Sequence, residues 1–136
     1  MTPLLRLQPV KVLVERLLRA PRAAAPGLAI RVAEVARATI LHLAGQLTLE
    51  YVNELRDCVA EAASRPAPAL VIDLSACPFI DSAGMAGLVT AFDRARKAGK
   101  HFVLVGLCPQ VACALELARL LKVLPIAATI EVALGG

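Results

Sequence analysis

The spacing of apolar residues at the amino terminus predicts an amphipathic helix. Between Pro9 and Arg19, apolar side chains recur at steps of three and four, and charged, mostly basic side chains fill the intervening positions, which is the pattern of a helix with one apolar face. Residues 21–27 are rich in Pro, Ala and Gly and break this pattern, so they are interpreted as a linker. The chain is therefore divided into an amino-terminal extension, residues 1–27, and one domain, residues 28–136.

From residue 28 onward, strand and helix patterns alternate. Two strands are expected around Leu28–Glu34 and Thr39–Ala44, followed by a helix with Thr48 as its N-cap. The inward-facing residues of this helix would be Leu49, Val52, Leu55, Val59 and Ala62. The apolar run Ala69–Leu74 is typical of a buried central strand, and a helix then extends to Gly99. Next come a strand at 101–105, a helix from Pro109 to about Leu121 and a short extended or helical piece at 126–130. The order ββαβαβα indicates an α/β fold with a mixed sheet.

Composition restricts the class of protein. With 58% hydrophobic and 19% charged residues, the chain is unlike disordered sequences. No apolar run approaches the roughly 20 residues of a membrane-spanning helix, so we expect no membrane span and a soluble, cytoplasmic protein. The four cysteines form no CxxC pair, which predicts reduced thiols and no zinc site.

Charge and aromatic content argue against binding to nucleic acid. Residues 1–37 contain seven basic and two acidic residues, which leaves a net charge of −1 for the rest of the chain. The basic character therefore belongs to the amino-terminal segment rather than to the domain. Aromatic residues make up only 3% of the chain, too few for a base-stacking platform.

The most specific motif follows the predicted central strand. The run Leu70–Leu88, which contains Phe-Ile-Asp-Ser-Ala-Gly at residues 79–84, resembles the signature of STAS domains, the family of bacterial anti-sigma factor antagonists. The similarity extends over Leu28–Ala133, and Ala44-Gly-Gln-Leu47 resembles the family's Gly-Glu-Leu turn. The resemblance implies a single domain with a mixed sheet of four to five strands and helices packed mainly on one face, preceded here by the amino-terminal helix.

The resemblance also implies a function in transcription regulation called partner switching. The antagonist binds an anti-sigma factor that is also a serine kinase, and phosphorylation of one serine releases it; a serine phosphatase would reverse the modification. By motif, the phosphorylated residue is Ser82. The residues implied to bind the partner are Asp81, Ser82, Gly84, Met85, Gly45, Gln46 and Thr48, where Gly84 is expected to keep the approach to Ser82 open.

A serine at the start of a helix is physically suited to such a switch. Unpaired backbone N–H groups and the positive end of the helix dipole can hold a phosphate locally, and the added charge of about −1.5 to −2 disturbs a contact made there. The alternative interpretation is structural, with Asp81 or Ser82 serving only as the N-cap.

Catalytic interpretations of the same residues are disfavoured. Asp73 and Asp81 suggest a carboxylate pair for acid–base chemistry or Mg²⁺, but nothing else in the sequence supplies the remaining catalytic groups. Ser82 lacks the Gly-x-Ser-x-Gly flanks of an esterase nucleophile, and His42 and His101 lie in predicted strands, where they are poor candidates for the base. We therefore expect no enzymatic activity, no cofactor and no metal.

Two further points remain open from the sequence. The first is which partner the domain binds. Gln46 and Thr48 stand where the family usually has Glu and often Asp, and other STAS domains are non-catalytic subunits of lipid-transport ATPases or scaffolds of stress-signalling assemblies. The amino-terminal helix has three alternative roles: docking on its own sheet, forming a homodimer, or resting on an acidic membrane or partner surface. Hydrophobic docking, on its own domain or on a second copy, is the preferred interpretation.

Overall fold

The elements alternate along the chain as the apolar pattern predicts. The computed structural model describes residues 16–17, 22–25 and 27–135. Its strands are β1 (Arg16–Leu17), β2 (Arg22–Ala25), β3 (Leu28–Val35), β4 (Ala38–Gly45), β5 (Ala69–Ala76), β6 (His101–Val105) and β7 (Ile126–Ala127). Its helices are α1 (Val52–Ala63), α2 (Ser82–Lys97), α3 (Pro109–Leu117) and α4 (Ile130–Gly135).

The strands form one mixed sheet, which confirms the predicted α/β class. The five strands β3 to β7 lie side by side in chain order. The β3–β4 pair is antiparallel, and each later neighbour is parallel. Because β4, β5, β6 and β7 run in the same direction, their carboxyl ends lie at one edge of the sheet, where the loops leading into the helices begin.

The two faces of the sheet are covered unequally, as predicted. Leu41, Leu43 and Ile72 pack with the apolar faces of α1, α2 and α3 into the main core, and each is at most 1% exposed. On the opposite face, Ile40 and Val71 belong to a smaller cluster that Ile130 of α4 covers. Burying one such side chain stabilises the fold by about 1.5–3 kcal/mol. The long helices therefore cover the face that carries more apolar side chains, because this buries the larger apolar surface.

The amino-terminal region differs from its prediction where the structure describes it. Most of the predicted helix at Pro9–Arg19 lies outside the described residues, but Arg16 and Leu17 form β1, antiparallel to β3. Residues 22–25, interpreted from the sequence as linker, form β2, also antiparallel to β3. These two strands are additional to the four or five expected. The outer edge of β3 would otherwise present unpaired N–H and C=O groups, which explains why neighbouring chain adds to it.

The first long helix begins later than the sequence predicts. Its N-cap is Tyr51, not Thr48, and residues 48–51 form a turn in which the Tyr51 N–H donates to the Thr48 carbonyl oxygen (2.9 Å). Leu49, expected on the inward stripe, is therefore 69% exposed. The physical reason is that the main-chain N–H of Leu49 is hydrogen bonded to the distant side chain of Asp81, which holds this segment outside the helix.

Candidate functional site

Two loops at the carboxyl edge of the sheet are joined by main-chain hydrogen bonds. These are the β4–α1 loop, residues 46–51, and the β5–α2 loop, residues 77–81. The Leu47 N–H donates to the Phe79 carbonyl oxygen (3.1 Å), and the Asp81 N–H donates to the Leu47 carbonyl oxygen (3.3 Å). Leu47 is completely buried. The parallel strands thus continue into a short bridge that fixes the two loops relative to each other.

The carboxylate of Asp81 strengthens this junction with both of its oxygens. Oδ1 accepts a hydrogen bond from the Gly84 N–H (2.8 Å), which makes Asp81 the N-cap of α2. Oδ2 accepts from the Leu49 N–H of the other loop (3.1 Å). The N-cap role predicted as a structural alternative for Asp81 is confirmed, and the carboxylate also connects two loops that are 32 residues apart.

Gly84 is buried beneath the start of the helix rather than exposed beside it. A Cβ at this position would overlap the Leu47 carbonyl oxygen and would lie 2.8 Å from Cγ1 of Ile80. Only glycine allows the first turn of α2 to approach the β4–α1 loop so closely. The absent side chain of Gly84 therefore makes room for the loop below, and its predicted part in partner binding stays a prediction.

Ser82 is exposed and is the first residue of α2. The helical hydrogen-bond ladder begins with the Met85 N–H, which donates to the Asp81 carbonyl oxygen (2.9 Å). The N–H groups of Ser82 and Ala83 precede that bond, as the first N–H groups of any helix do. The Ser82 hydroxyl therefore lies in solvent at the positive end of a 16-residue helix.

The other predicted site residues lie at the end of β4, in the β4–α1 loop and in the first turn of α2, and they differ in exposure. Gln46 is exposed, whereas Gly45, Thr48 and Met85 are half-buried. Gly45 has φ of 119°, a conformation that favours glycine. The next residue, Gln46, donates its main-chain N–H to the carbonyl oxygen of Gly27 (2.6 Å). The role of Gly45 is thus to turn the chain at the end of β4.

An apolar groove of about 450 Å³ extends from Ser82 along one side of α2. Its opposite wall is the turn after α3, where Arg119 has φ of 62°. The groove is lined by Ser82, Met85, Ala86, Val89, Thr90, Ala118 and Leu120. Of these lining residues, the sequence predicts only Ser82 and Met85 as members of the site. Leu120 and Ala118 carry no motif, because only the packing of the α3 turn against α2 brings them to Ser82.

The chain matches the family model described as STAS domain over residues 29–133. It belongs to the STAS domain family.

Solved structures with the same fold include those of anti-sigma factor antagonists. The antagonist from Mycobacterium paratuberculosis is 26% identical with a TM-score of 0.73, and the match covers 82% of this chain and 96% of that one. SpoIIAA in its unphosphorylated form is 19% identical, with a TM-score of 0.65 and coverage of 77% and 92%. SpoIIAA from Bacillus in its phosphorylated form is also 19% identical, with a TM-score of 0.59 and coverage of 77% and 96%.

A second polar site lies on the opposite face of the STAS domain from α2. Nδ1 of His42 and Oδ2 of Asp73 are 2.7 Å apart on adjacent strands. Burial raises the pKa of Asp73, but hydrogen bonds from His42 and Ser75 outweigh this effect and lower that pKa to about 2. His42 thus pairs with a carboxylate on the far side of the sheet from Ser82, rather than facing the Ser82 hydroxyl.

Metal and membrane features can be described for the part of the chain that the structure covers. Within residues 27–135 and the short β1 and β2 segments, no cluster of three or more His, Cys, Asp or Glu side chains could hold a metal ion. Among these same residues, no helix combines the length and apolar character needed to cross a bilayer.

Proposed function

We propose that this protein is a cytoplasmic anti-sigma factor antagonist that acts by partner switching. Unphosphorylated, it binds an anti-sigma factor with serine kinase activity. Phosphorylation of Ser82 releases it, and a serine phosphatase restores the binding form. The observation that carries the proposal is the position of Ser82: an exposed hydroxyl at the first turn of α2, at the mouth of an apolar groove.

The other serines of the chain lack this combination. The chain contains three serines, Ser64, Ser75 and Ser82, all exposed. Ser64 lies at the carboxyl end of α1, where its hydroxyl donates to the Glu61 carbonyl oxygen (2.7 Å). Ser75 is in β5, beside Asp73. Ser82 alone among the three begins a helix, where backbone N–H groups and the helix dipole favour a phosphate.

A phosphate at Ser82 is compatible with the fold and incompatible with an apolar partner contact. The carboxylate of Asp81 is already held by two N–H groups, so the cap does not depend on the Ser82 hydroxyl. A phosphoserine carries a charge of about −1.5 to −2. Burying that charge against the apolar groove, or placing it opposite an acidic group, costs binding free energy. The switch therefore acts at the interface and leaves the core unchanged.

The relatives support this proposal at the level of the fold. SpoIIAA, which shares the fold, has been solved in phosphorylated and in unphosphorylated form. For the present chain, the domain would be residues 28–136, with residues 1–27 as an extension whose β1 and β2 segments pair with β3. The binding surface would comprise Gln46, Thr48, Asp81, Ser82 and Met85, with Gly45 and Gly84 shaping the backbone that carries them.

Phosphorylation can be tested with matched serine variants. The full chain is incubated with ATP and a kinase-type anti-sigma factor from the same organism, and the modified residue is identified by peptide mass spectrometry. We expect one phosphate, which is lost in Ser82→Ala and retained in Ser64→Ala and Ser75→Ala. A phosphate on either control serine would contradict the assignment of Ser82.

The switch itself is tested by binding. Ser82→Ala should bind the same kinase-type factor as the wild type does, whereas Ser82→Asp and the phosphorylated protein should bind at least about tenfold more weakly, since unfavourable charge placement of 1.4 kcal/mol is sufficient for that factor. Melting temperatures should stay close to the wild-type value. Equal binding by all four forms would refute partner switching, and a large loss of stability in Ser82→Asp would favour a structural role instead.

A further inference from the structure

A second groove, which does not contain Ser82, lies between α1 and α2. It has a volume of about 230 Å³ and runs beside the Ser82 groove, from which it is separated by Ala86 and Thr90 of α2, residues that line both grooves. Its floor consists of small residues of α2, including Ala83, Gly87 and Ala91, and its apolar wall is formed by Leu49, Val52 and Val59. We call it the α1–α2 groove.

The packing of α1 against α2 beneath the groove depends on Gly87. A Cβ at Gly87 would lie 2.5 Å from Cγ2 of Val52, so the glycine lets the side chains of α1 pack directly against the backbone of α2. At one end, Leu49 projects with 69% of its surface exposed. Along α2 the groove extends from Ala83 to Arg94, which at the helical rise is about 16 Å, or three turns.

The charges of the described residues that line the groove are all of one sign. Arg56 and Arg94 are the only charged residues among them, and both are exposed. Neither guanidinium pairs with a carboxylate of the described residues, whereas the neighbouring Arg96 and Lys97 both pair with Asp93 (2.8 and 3.0 Å). An apolar groove with two available guanidinium groups is complementary to an apolar segment that carries carboxylates.

We propose that the α1–α2 groove docks an acidic amphipathic helix of a protein partner. Apolar side chains spaced three to four residues apart on that helix enter the groove, and its carboxylates pair with Arg56 and Arg94. The length of the groove matches about three turns of such a helix. The chain's own amino-terminal segment has the wrong charge for this site, because residues 1–19 contain four basic residues and one acidic residue. The inference goes beyond the proposed switch, since it needs no phosphate and no contact with Ser82.

The experiment uses a random 12-residue peptide library displayed on phage and panned against the unmodified full chain. We expect enriched peptides to combine large apolar residues with a net negative charge. Synthetic versions should shift the amide resonances of residues 49–59 and 83–94. Their affinity should fall at least about tenfold in the double variant R56E/R94E. The control R96E/K97E, which has the same change in net charge on the neighbouring surface, should keep wild-type affinity.

Several results would overturn the proposal. These are no enrichment over the starting library, enriched peptides without an excess of acidic residues, or equal losses in R56E/R94E and R96E/K97E. A concentration-dependent rise in molar mass that R56E/R94E abolishes would assign the groove to a second copy of the chain instead. Ser82→Ala should bind the peptides as the wild type does, so a failure here is distinguishable from a failure of the phosphorylation switch.

Discussion

Replacing Asp81 with alanine removes the two hydrogen bonds that tie the start of α2 to both loops of the site. Loss of the N-cap acceptor for the Gly84 N–H (2.8 Å) costs about 1 kcal/mol. Loss of the second bond, from the Leu49 N–H (3.1 Å) to a charged acceptor, costs about 1.5–3 kcal/mol, with the lower value appropriate because Leu49 is largely exposed. We therefore expect Asp81→Ala to lower the free energy of unfolding by about 2–3 kcal/mol.

A serine at position 81 separates the two contributions. Ser is a good N-cap, but its single hydroxyl cannot also reach the Leu49 N–H, so Asp81→Ser should recover about 1 kcal/mol of the loss. Urea unfolding followed by circular dichroism gives the free energies, with an unchanged m-value as the check that the unfolding transition is comparable. In native-state hydrogen exchange, Asp81→Ala should accelerate exchange at both Leu49 and Gly84, and Asp81→Ser at Leu49 alone.

The control is Asp93→Ala, which removes an exposed carboxylate from the surface of the same helix. Exposed ion pairs contribute little to stability, so this variant should be close to the wild type. If Asp81→Ala were no more destabilising than Asp93→Ala, or if Asp81→Ser equalled Asp81→Ala, the carboxylate would not be joining the two loops as argued.

Three further outcomes are expected. Because hydrogen bonds from His42 and Ser75 lower the pKa of Asp73 to about 2 from its usual 3.8, the stability that these bonds contribute, about 2 kcal/mol, should be intact above the usual pKa and lost as the pH falls toward 2. Urea unfolding across this range should show a flatter profile for Asp73→Asn. Gly84→Ala should lower the free energy of unfolding by about 1–3 kcal/mol, since its Cβ overlaps the Leu47 carbonyl oxygen, and a thermal melt indistinguishable from wild type would contradict that packing. Deleting residues 1–25 removes β1 and β2 from β3, which leaves an unpaired sheet edge that can associate with another molecule. Light scattering should therefore show a molar mass that rises with concentration, and calorimetry should show a lower melting temperature. No change in either quantity would mean that these residues do not protect the edge.

Local pattern is sufficient for the order of the elements and for a helix start at Asp81 and Ser82, whereas the phosphorylation of Ser82 is implied by the resemblance to the STAS motif. The unbroken apolar run at Ala69–Leu74 identified the central strand, because a strand covered on both faces needs apolar side chains at consecutive positions. Asp81 and Ser82 were assigned to a helix start because capping chemistry is contained within four consecutive residues. Such features depend on residues that are adjacent in the chain, so they can be predicted from the sequence alone.

The features that required the tertiary structure depend on residues far apart in the chain. Leu49 was expected inside α1 from its spacing, but a hydrogen bond to Asp81, 32 residues later, keeps it in a turn and exposes it. The sequence gives no sign that the place of a side chain at Gly84 is taken by the Leu47 carbonyl oxygen. Arg56 and Arg94 also line one groove only because α1 packs against α2. The sequence alone determined the α/β order, the buried strand and the position of Ser82. Only the tertiary structure decided which side chains line the grooves, because packing between helices and hydrogen bonds between loops are set by three-dimensional proximity rather than by local periodicity.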